Sequence, residues 1–301
     1  MVVKQNSRML KSFFKFMRRN GQPGLAALPS PPPQAGLRFR DTLPVFPSSK
    51  GKLWHATSNV TLSLGGVIGQ LLVWKLSETK VYNQEYFQES VLDRVPGTPI
   101  ISASNHKAVT DDWLLCSILG THKQALTGDM RYVMGAEEVM FWSYKLAHIC
   151  AIAHILPIRR GFGVYQPVMD EAINLLGQGR WLHIYPQGRI LHKREEDATQ
   201  RLKWGIGRLV ADCPTFPAPK ILPMWHVGMD DFMPNVRPYR MHLGQRITLV
   251  LGKAMDFTDQ LKEMRERNCS QMRIRKQITD QVQDRLSEIR EEAWALHDAR
   301  S

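Results

Sequence analysis

Ile100-Ile101-Ser102-Ala103-Ser104 runs straight into Asn105-His106-Lys107-Ala108-Val109-Thr110-Asp111, and this stretch decides how the chain is read. A short apolar run ends in a histidine, with an aspartate five positions later. On an uninterrupted helix that spacing would hold the two side chains apart, so they meet only if His106 sits in a turn. Thr110, Asp111 and Asp112 are favoured at helix starts, and Trp113, Leu114, Ile118 and Leu119 continue as an apolar helical face. The pattern predicts a strand, a turn carrying His106, and a helix with Asp111 in its first turn, where the helix dipole tolerates a negative charge. From there the carboxylate can hold one imidazole nitrogen while the other takes a proton from a hydroxyl. A capping aspartate in a surface turn would give the same string, so more of the chain is needed.

Three later segments repeat the design: Ile155-Leu156-Pro157-Ile158-Arg159-Arg160-Gly161, Trp181-Leu182-His183-Ile184-Tyr185-Pro186-Gln187-Gly188-Arg189, and Ile221-Leu222-Pro223-Met224-Trp225-His226-Val227-Gly228. Each is a strand-like run ending in Pro, Gly or a charged residue, as where buried strands deliver polar groups to one sheet edge. In order and spacing the four resemble the glycerolipid acyltransferase superfamily. Gly163-Val164-Tyr165-Gln166, Leu202-Lys203-Trp204-Gly205-Ile206-Gly207-Arg208-Leu209 and Trp225-His226-Val227-Gly228-Met229 are similar to its branch of phospholipid–lysophospholipid transacylases, from about Leu53 to Phe257.

The resemblance implies His106 as general base and Asp111 as its partner, with direct acyl transfer from a phospholipid to a lysophospholipid hydroxyl. It implies cardiolipin remodelling from monolysocardiolipin without coenzyme A, at a mitochondrial membrane facing the intermembrane space; the rival readings are an acyl-coenzyme-A-dependent lysophospholipid acyltransferase with the same pair and a non-catalytic membrane-binding scaffold. Arg159 and Arg160 lie where the superfamily binds phosphate, and a guanidinium fork suits that ligand. Gln187, Gly188 and Arg189 match the family's substrate motif, with Gly188 allowing close backbone approach and Arg189 a second phosphate contact. One departure stands out. The family usually has Pro-Glu-Gly-Lys where this chain has Pro186-Gln187-Gly188-Arg189, so the charge of the acid is lost while its length is kept. His183 and His226 read as buried, hydrogen-bonded histidines, and Pro223 as shaping its strand end. No serine or cysteine is placed as an obvious nucleophile.

The 301 residues, 43% of them apolar, suffice for one large domain. A net charge of +12 is of the size nucleic-acid binders carry, but eight basic and no acidic residues fall in the first forty positions. The rest is close to balanced and carries no basic, aromatic-interleaved motif, so nucleic acid is not an expected partner. Residues 1–50 read as a basic, Pro-rich targeting and linker region. Its start, Met1 to Asn20, reads equally as a mitochondrial presequence, a helix for an anionic membrane surface or a disordered basic tail, and Gly21 to Ser49 as a linker. Residues 51–95 hold the most hydrophobic window, Leu53 to Leu76, interrupted by Gly65, Gly66, Gly69 and Gln70. Embedding in one leaflet is preferred to spanning the bilayer, and both to a soluble core helix, with Trp54 and Trp74 near headgroups.

Residues 96–301 alternate strands and helices, predicting an α/β fold with a mixed sheet flanked by helices. Strands are expected at Pro99–Ser104, Ile152–Ile158, Trp181–Tyr185, Ile221–Trp225 and Ile247–Leu251. Helices are expected at Asp111–Leu119, Pro167–Leu176 and Leu202–Ala211. A last helix begins near Thr258, whose stripe Ile278, Val282, Leu286, Ile289, Ala293 and Leu296 reads as core. Cys116, Cys150, Cys213 and Cys269 show no zinc spacing and are expected as free thiols. No metal, nucleotide or other cofactor is expected, the substrates being phospholipid and lysophospholipid, and the oligomeric state is left open.

Overall fold

The computed structural model describes residues 50–191, 194, 199–235 and 240–300. The basic start and the Pro-rich linker to Ser49 lie outside these residues. A 25-residue helix, α1 (Lys52–Leu76), leads into β1 (Ser77–Tyr82). After the short helical turns Glu85–Phe87 and Gln88–Leu92 come β2 (Ile100–Ser104), α2 (Asp111–Ile118), α3 (His122–Thr127) and β3 (Tyr132–Ala136). Then follow α4 (Tyr144–Ile152), β4 (Ile155–Ile158), α5 (Pro167–Gly177), β5 (Trp181–Ile184), α6 (Gly205–Ala211) and β6 (Lys220–Val227). The chain closes with β7 (Gln245–Leu251), α7 (Thr258–Glu266) and α8 (Gln271–Asp298).

The sheet is mixed, in the order β1-β7-β6-β2-β5-β3-β4. β2 pairs in parallel with β5 on one side and β6 on the other, while β6 and β7 are antiparallel. β2, β5, β6, β3 and β4 therefore all run the same way, and their carboxyl ends share one edge. In open α/β sheets that edge is where ligands bind.

Alternation along the strands divides the core into two faces. Ile101, Leu182, Ile184, Ile221, Trp225 and Val250 bury themselves under α5, α6 and α8, where Ile274, Ile278, Val282, Leu286, Ile289 and Ala293 supply the stripe expected of the last helix. On the other face Ile100, Trp181, Leu222, Met224, Ile247 and Leu249 pack with Leu114 and Leu115 of α2. This second face changes character toward the carboxyl edge. At period two, Ile100 is followed by Ser102 and Ser104, Trp181 by His183 and Tyr185, and Met224 by His226, with both serines and both histidines buried.

Helix α1 inverts the usual pattern of a surface helix. Its buried residues are Ser58, Ser63, Gly66, Gly69 and Val73, while Leu53, Val60, Leu64, Val67, Ile68, Leu71 and Trp74 are exposed. The small residues allow close docking on α2 and α3. A Cβ on Gly69 would lie 2.0 Å from Ser117 Oγ and 2.9 Å from the Trp113 ring. The helix is long and apolar enough to cross a membrane by length and composition. Trp74 stays exposed, whereas Trp54 is half-buried and stacks on His154.

Three expected elements change, the helix expected at Leu202–Ala211 beginning only at Gly205. Ile152 belongs to α4 rather than to a strand, because the chain reverses through Ala153 and His154, the latter at φ 59°, before β4 begins at Ile155. The last helix is two helices. Asn268 at φ 53° ends the first, and the Ser270 side chain caps the second by accepting from Arg273 N–H.

Candidate active site

His106 follows the carboxyl end of the central strand β2, and Asp111 opens α2. The turn between them brings His106 Nδ1 to 2.9 Å from Asp111 Oδ2. The same oxygen accepts from Lys107 N–H at 2.6 Å and Ala108 N–H at 2.9 Å. The aspartate therefore folds the turn that carries its own histidine. Asp111 is fully buried, while 22% of the His106 side chain remains open to solvent. Burial opposes ionisation of Asp111, but the adjacent His226 and the hydrogen bond from His106 outweigh it and hold the carboxyl well below the usual carboxylate range. A carboxylate acceptor assigns the proton to His106 Nδ1, leaving Nε2 as the basic nitrogen available to a substrate.

The segment after β5 frames this histidine. His106 N–H donates to Gln187 Oε1 at 3.3 Å, and Leu191 N–H donates to His106 C=O at 3.0 Å. Tyr185 stacks against the imidazole, ring centroids 4.1 Å apart and nearly parallel, with its hydroxyl buried. Gln187 is 2% exposed, so the residue that departs from the family's acid is a buried acceptor for the His106 backbone. Gly188 adopts φ +73° in this turn, where a side chain would be strained and its Cβ would lie 3.2 Å from Lys203. Arg189 is exposed and donates to Gln200 Oε1 at 2.7 Å.

Beneath the pair runs a directional chain of hydrogen bonds. Trp181 Nε1–H donates to Ser102 Oγ at 2.8 Å, which leaves the Ser102 hydroxyl to donate to His183 Nδ1 at 2.8 Å. His183 Nε2 lies 3.3 Å from Ser104 Oγ, whose hydroxyl donates to Asn105 C=O at 3.0 Å. Burial, then the charge of Arg131, pushes the His183 pKa down to about 3, matching this neutral tautomer. The sequence reading of His183 as a buried, hydrogen-bonded histidine agrees with these contacts.

His226, at the end of β6, is also fully buried. Its Nε2 lies 3.1 Å from Asn105 C=O, and the same nitrogen is 3.5 Å from Asp111 Oδ2. Asn105 in turn pairs with the His226 backbone in both directions, donating to its C=O and accepting from its N–H, each at 2.9 Å. Sequence reasoning passed over Asn105 and the approach of His226 to Asp111. The available signal was the period-two run of polar residues on one face of three adjacent strands.

Arg159 and Arg160 stand at the carboxyl end of β4, on the same edge as His106 but three strands away, about 14 Å at the usual spacing. Arg159 Nε donates to Glu137 Oε2 at 2.9 Å, and Arg160 pairs with Glu138. A phosphate reaching either arginine must share it with a glutamate. Among the described residues no group of His, Cys, Asp and Glu is placed to hold a metal ion, and the four cysteines are free.

The arrangement can accept a proton at Nε2 from an alcohol and return it to a leaving oxygen. Residues 78–227 match the Acyltransferase family. The chain is 32% identical to tafazzin of Drosophila melanogaster over 259 residues, covering 85% of this chain and 67% of that protein. It is 32% identical to N-acylphosphatidylethanolamine synthase of Arabidopsis thaliana over 223 residues, covering 68% and 75%. The crystal structure of the 1-acyl-sn-glycerophosphate acyltransferase from Thermotoga maritima superposes with a TM-score of 0.50 over 78% of each chain at 16% identity, a likeness of fold. Taken with the sheet and its histidine-bearing edge, these relationships make the chain an acyltransferase enzyme that belongs to the tafazzin family.

Proposed function

We propose that this enzyme moves acyl chains between phospholipids and lysophospholipids without coenzyme A, with monolysocardiolipin as its preferred acceptor. The observation that carries the reading is the 2.9 Å contact between His106 and the buried Asp111 carboxylate, with the imidazole open to solvent. His106 Nε2 takes the proton of the lysolipid hydroxyl as that oxygen attacks the ester carbonyl of the donor lipid. A tetrahedral intermediate forms. Its collapse breaks the donor's ester bond, and the imidazolium returns the proton to the departing glyceryl oxygen. Asp111 fixes the tautomer and stabilises the imidazolium between the two transfers. Arg159, Arg160 and Arg189 offer guanidinium groups to lipid phosphates along the same edge.

The test is acyl exchange between a labelled phospholipid and a lysophospholipid in membranes freed of coenzyme A. Transfer should proceed, His106→Ala should lower it at least 100-fold, and Asp111→Asn should lower it strongly through loss of the tautomer. Transfer only on addition of acyl-coenzyme A would replace this reading with the acyl-coenzyme-A-dependent one. The similarity to a plant synthase named for an N-acylated phosphatidylethanolamine gives the panel one further acceptor, the ethanolamine amine. Amide product in preference to ester would move the substrate assignment to that lipid.

The outward apolar face of α1 supports membrane binding, with the helix embedded in one leaflet of a mitochondrial membrane. On this reading residues 51–95 form the membrane-embedding unit and residues 96–301 the acyltransferase domain. Residues 1–20 are proposed as the address, tested by import of a chain lacking them.

A further inference from the structure

We propose that His226 is a positioning residue for acyl transfer, its Nε2–H holding the Asp111 carboxylate from β6 while His106 holds it from the turn. This rests on the reading of His106 and Asp111 as the reacting pair. His106 is tied to β2 and to the segment after β5, but the Asp111 carboxylate arrives with the helix and is held only by groups of its own turn. His226 supplies that connection. Its Nε2 must carry a proton, because the nearer of its two partners, Asn105 C=O at 3.1 Å, can only accept. The same N–H stands 3.5 Å from Asp111 Oδ2, a longer, shared contact beside the three N–H groups already on that oxygen.

The reciprocal 2.9 Å bonds between the Asn105 side chain and the His226 backbone fix this geometry. Asn105 thus substitutes for a strand residue at the end of β6 and ties the residue before His106 to it. Packing alone does not call for a histidine here. An apolar side chain would suit a position that follows Leu222 and Met224 on the same buried face, without the cost of placing two ring nitrogens out of water.

The chemical consequence is specific. A donor to Asp111 disperses part of its charge, which tempers its pull on the imidazolium of His106. Without that donor the carboxylate holds the imidazolium more strongly, and the acidic limb of the rate profile moves to higher pH. The other titratable groups gathered around the pair are Lys107, Asp112, Arg131, His183, Tyr185 and Asp230. His183 is already neutral over the working range, and Tyr185 is raised well above its ordinary value by burial.

The experiment compares His226→Phe, His226→Gln and His226→Asn with the full-length enzyme in lipid vesicles, measuring kcat, KM for the lysolipid, and the pH profile of kcat/KM. The Gln amide nitrogen reaches the place of Nε2, and that of Asn the place of Nδ1. Phe and Asn should lower kcat about tenfold with KM changed less than twofold, and should move the acidic limb up by about half a pH unit. Gln should restore most of the rate and the original limb. Should Phe prevent folding, the contrast between Gln and Asn carries the same information. Wild-type rate in Phe or Asn, or a loss of rate with an unmoved limb that Gln does not rescue, overturns the inference. His106→Ala is run alongside: if it keeps its turnover, the pair itself falls and this inference with it, whereas a dead His106→Ala beside a wild-type His226→Phe removes His226 alone.

Discussion

At the scale of single residues, Gln187 and His106 share more than an edge. A side-chain oxygen at Gln187 holds the His106 N–H, so the substituted residue supports the histidine whatever it does for substrate. Gln187→Met, close in volume and without an acceptor, should lower kcat roughly fivefold, the worth of about one hydrogen bond, with little change in melting temperature. Gln187→Glu keeps the acceptor and should stay within a few-fold of wild type across a panel of lysolipids, where any change in preference would expose a direct substrate role. Buried histidines set the acid response. His154, stacked between Trp54 and Tyr132, and His183 are both pushed from 6.5 down to about 3, in each case chiefly by burial. The unfolded chain binds protons at both sites below about pH 6.5 and the folded chain only near 3, so folding stability should fall as pH drops through that window. Denaturation at pH 7.5, 6 and 5 would check it, and His154→Phe, which keeps an aromatic ring in the stack, should flatten the slope by about one proton.

At the scale of elements, α1 shows what the sequence could and could not disclose. Its length and hydrophobicity were legible, but Gly65, Gly66 and Gly69 read there as interruptions of an apolar window. In the fold, Gly66 and Gly69 lie with Ser58 and Ser63 on the buried face that docks on the protein. Composition cannot say which side of an apolar helix faces inward when small residues and large ones both recur at helical spacing. Gly69→Leu should overpack the α1–α2 contact, costing about 1–3 kcal/mol and lowering the melting temperature by several degrees. The strands were legible where apolar runs met turn residues, as at β2, β5 and β7. β3 was missed because Gly135 interrupts the apolar run of Tyr132–Ala136, and β1 because Ser77–Tyr82, at the sheet edge, opens with four polar residues and has only Val81 and Tyr82 to mark it.

At the scale of the whole molecule, the exposed face of α1 and the acid–base pair make separable demands. Leu64 and Leu71, 52% and 59% exposed, bear little of the core, so Leu64→Lys with Leu71→Lys should leave the melting temperature nearly unchanged. The pair should nonetheless move protein from the membrane pellet to the supernatant, because a lysine is costly in an apolar leaflet. High salt alone should release little of the wild type, and complete release by salt would assign that face to ordinary surface. The dyad was legible because its two members lie five residues apart. Asn105 and His226, whose contacts span 121 positions, become neighbours only through the pairing of β2 with β6, which no local pattern announces.

That sheet also has a history during synthesis. β1 is the first made of the described strands, yet its sheet neighbour is β7, with Ser77 opposite Gln245. At roughly 5–20 residues per second the first strand waits on the order of ten seconds for its mate. In sequence it directly follows the apolar helix α1, and until then it lacks the strand it pairs with. A nascent chain released before β7 would carry His106 and Asp111 on a sheet that lacks β7 and leaves β1 without its partner, so premature termination anywhere ahead of β7 should yield a protein cleared by proteolysis rather than a weakened enzyme. Pulse–chase decay of chains ending at 215 and at 240 would measure it.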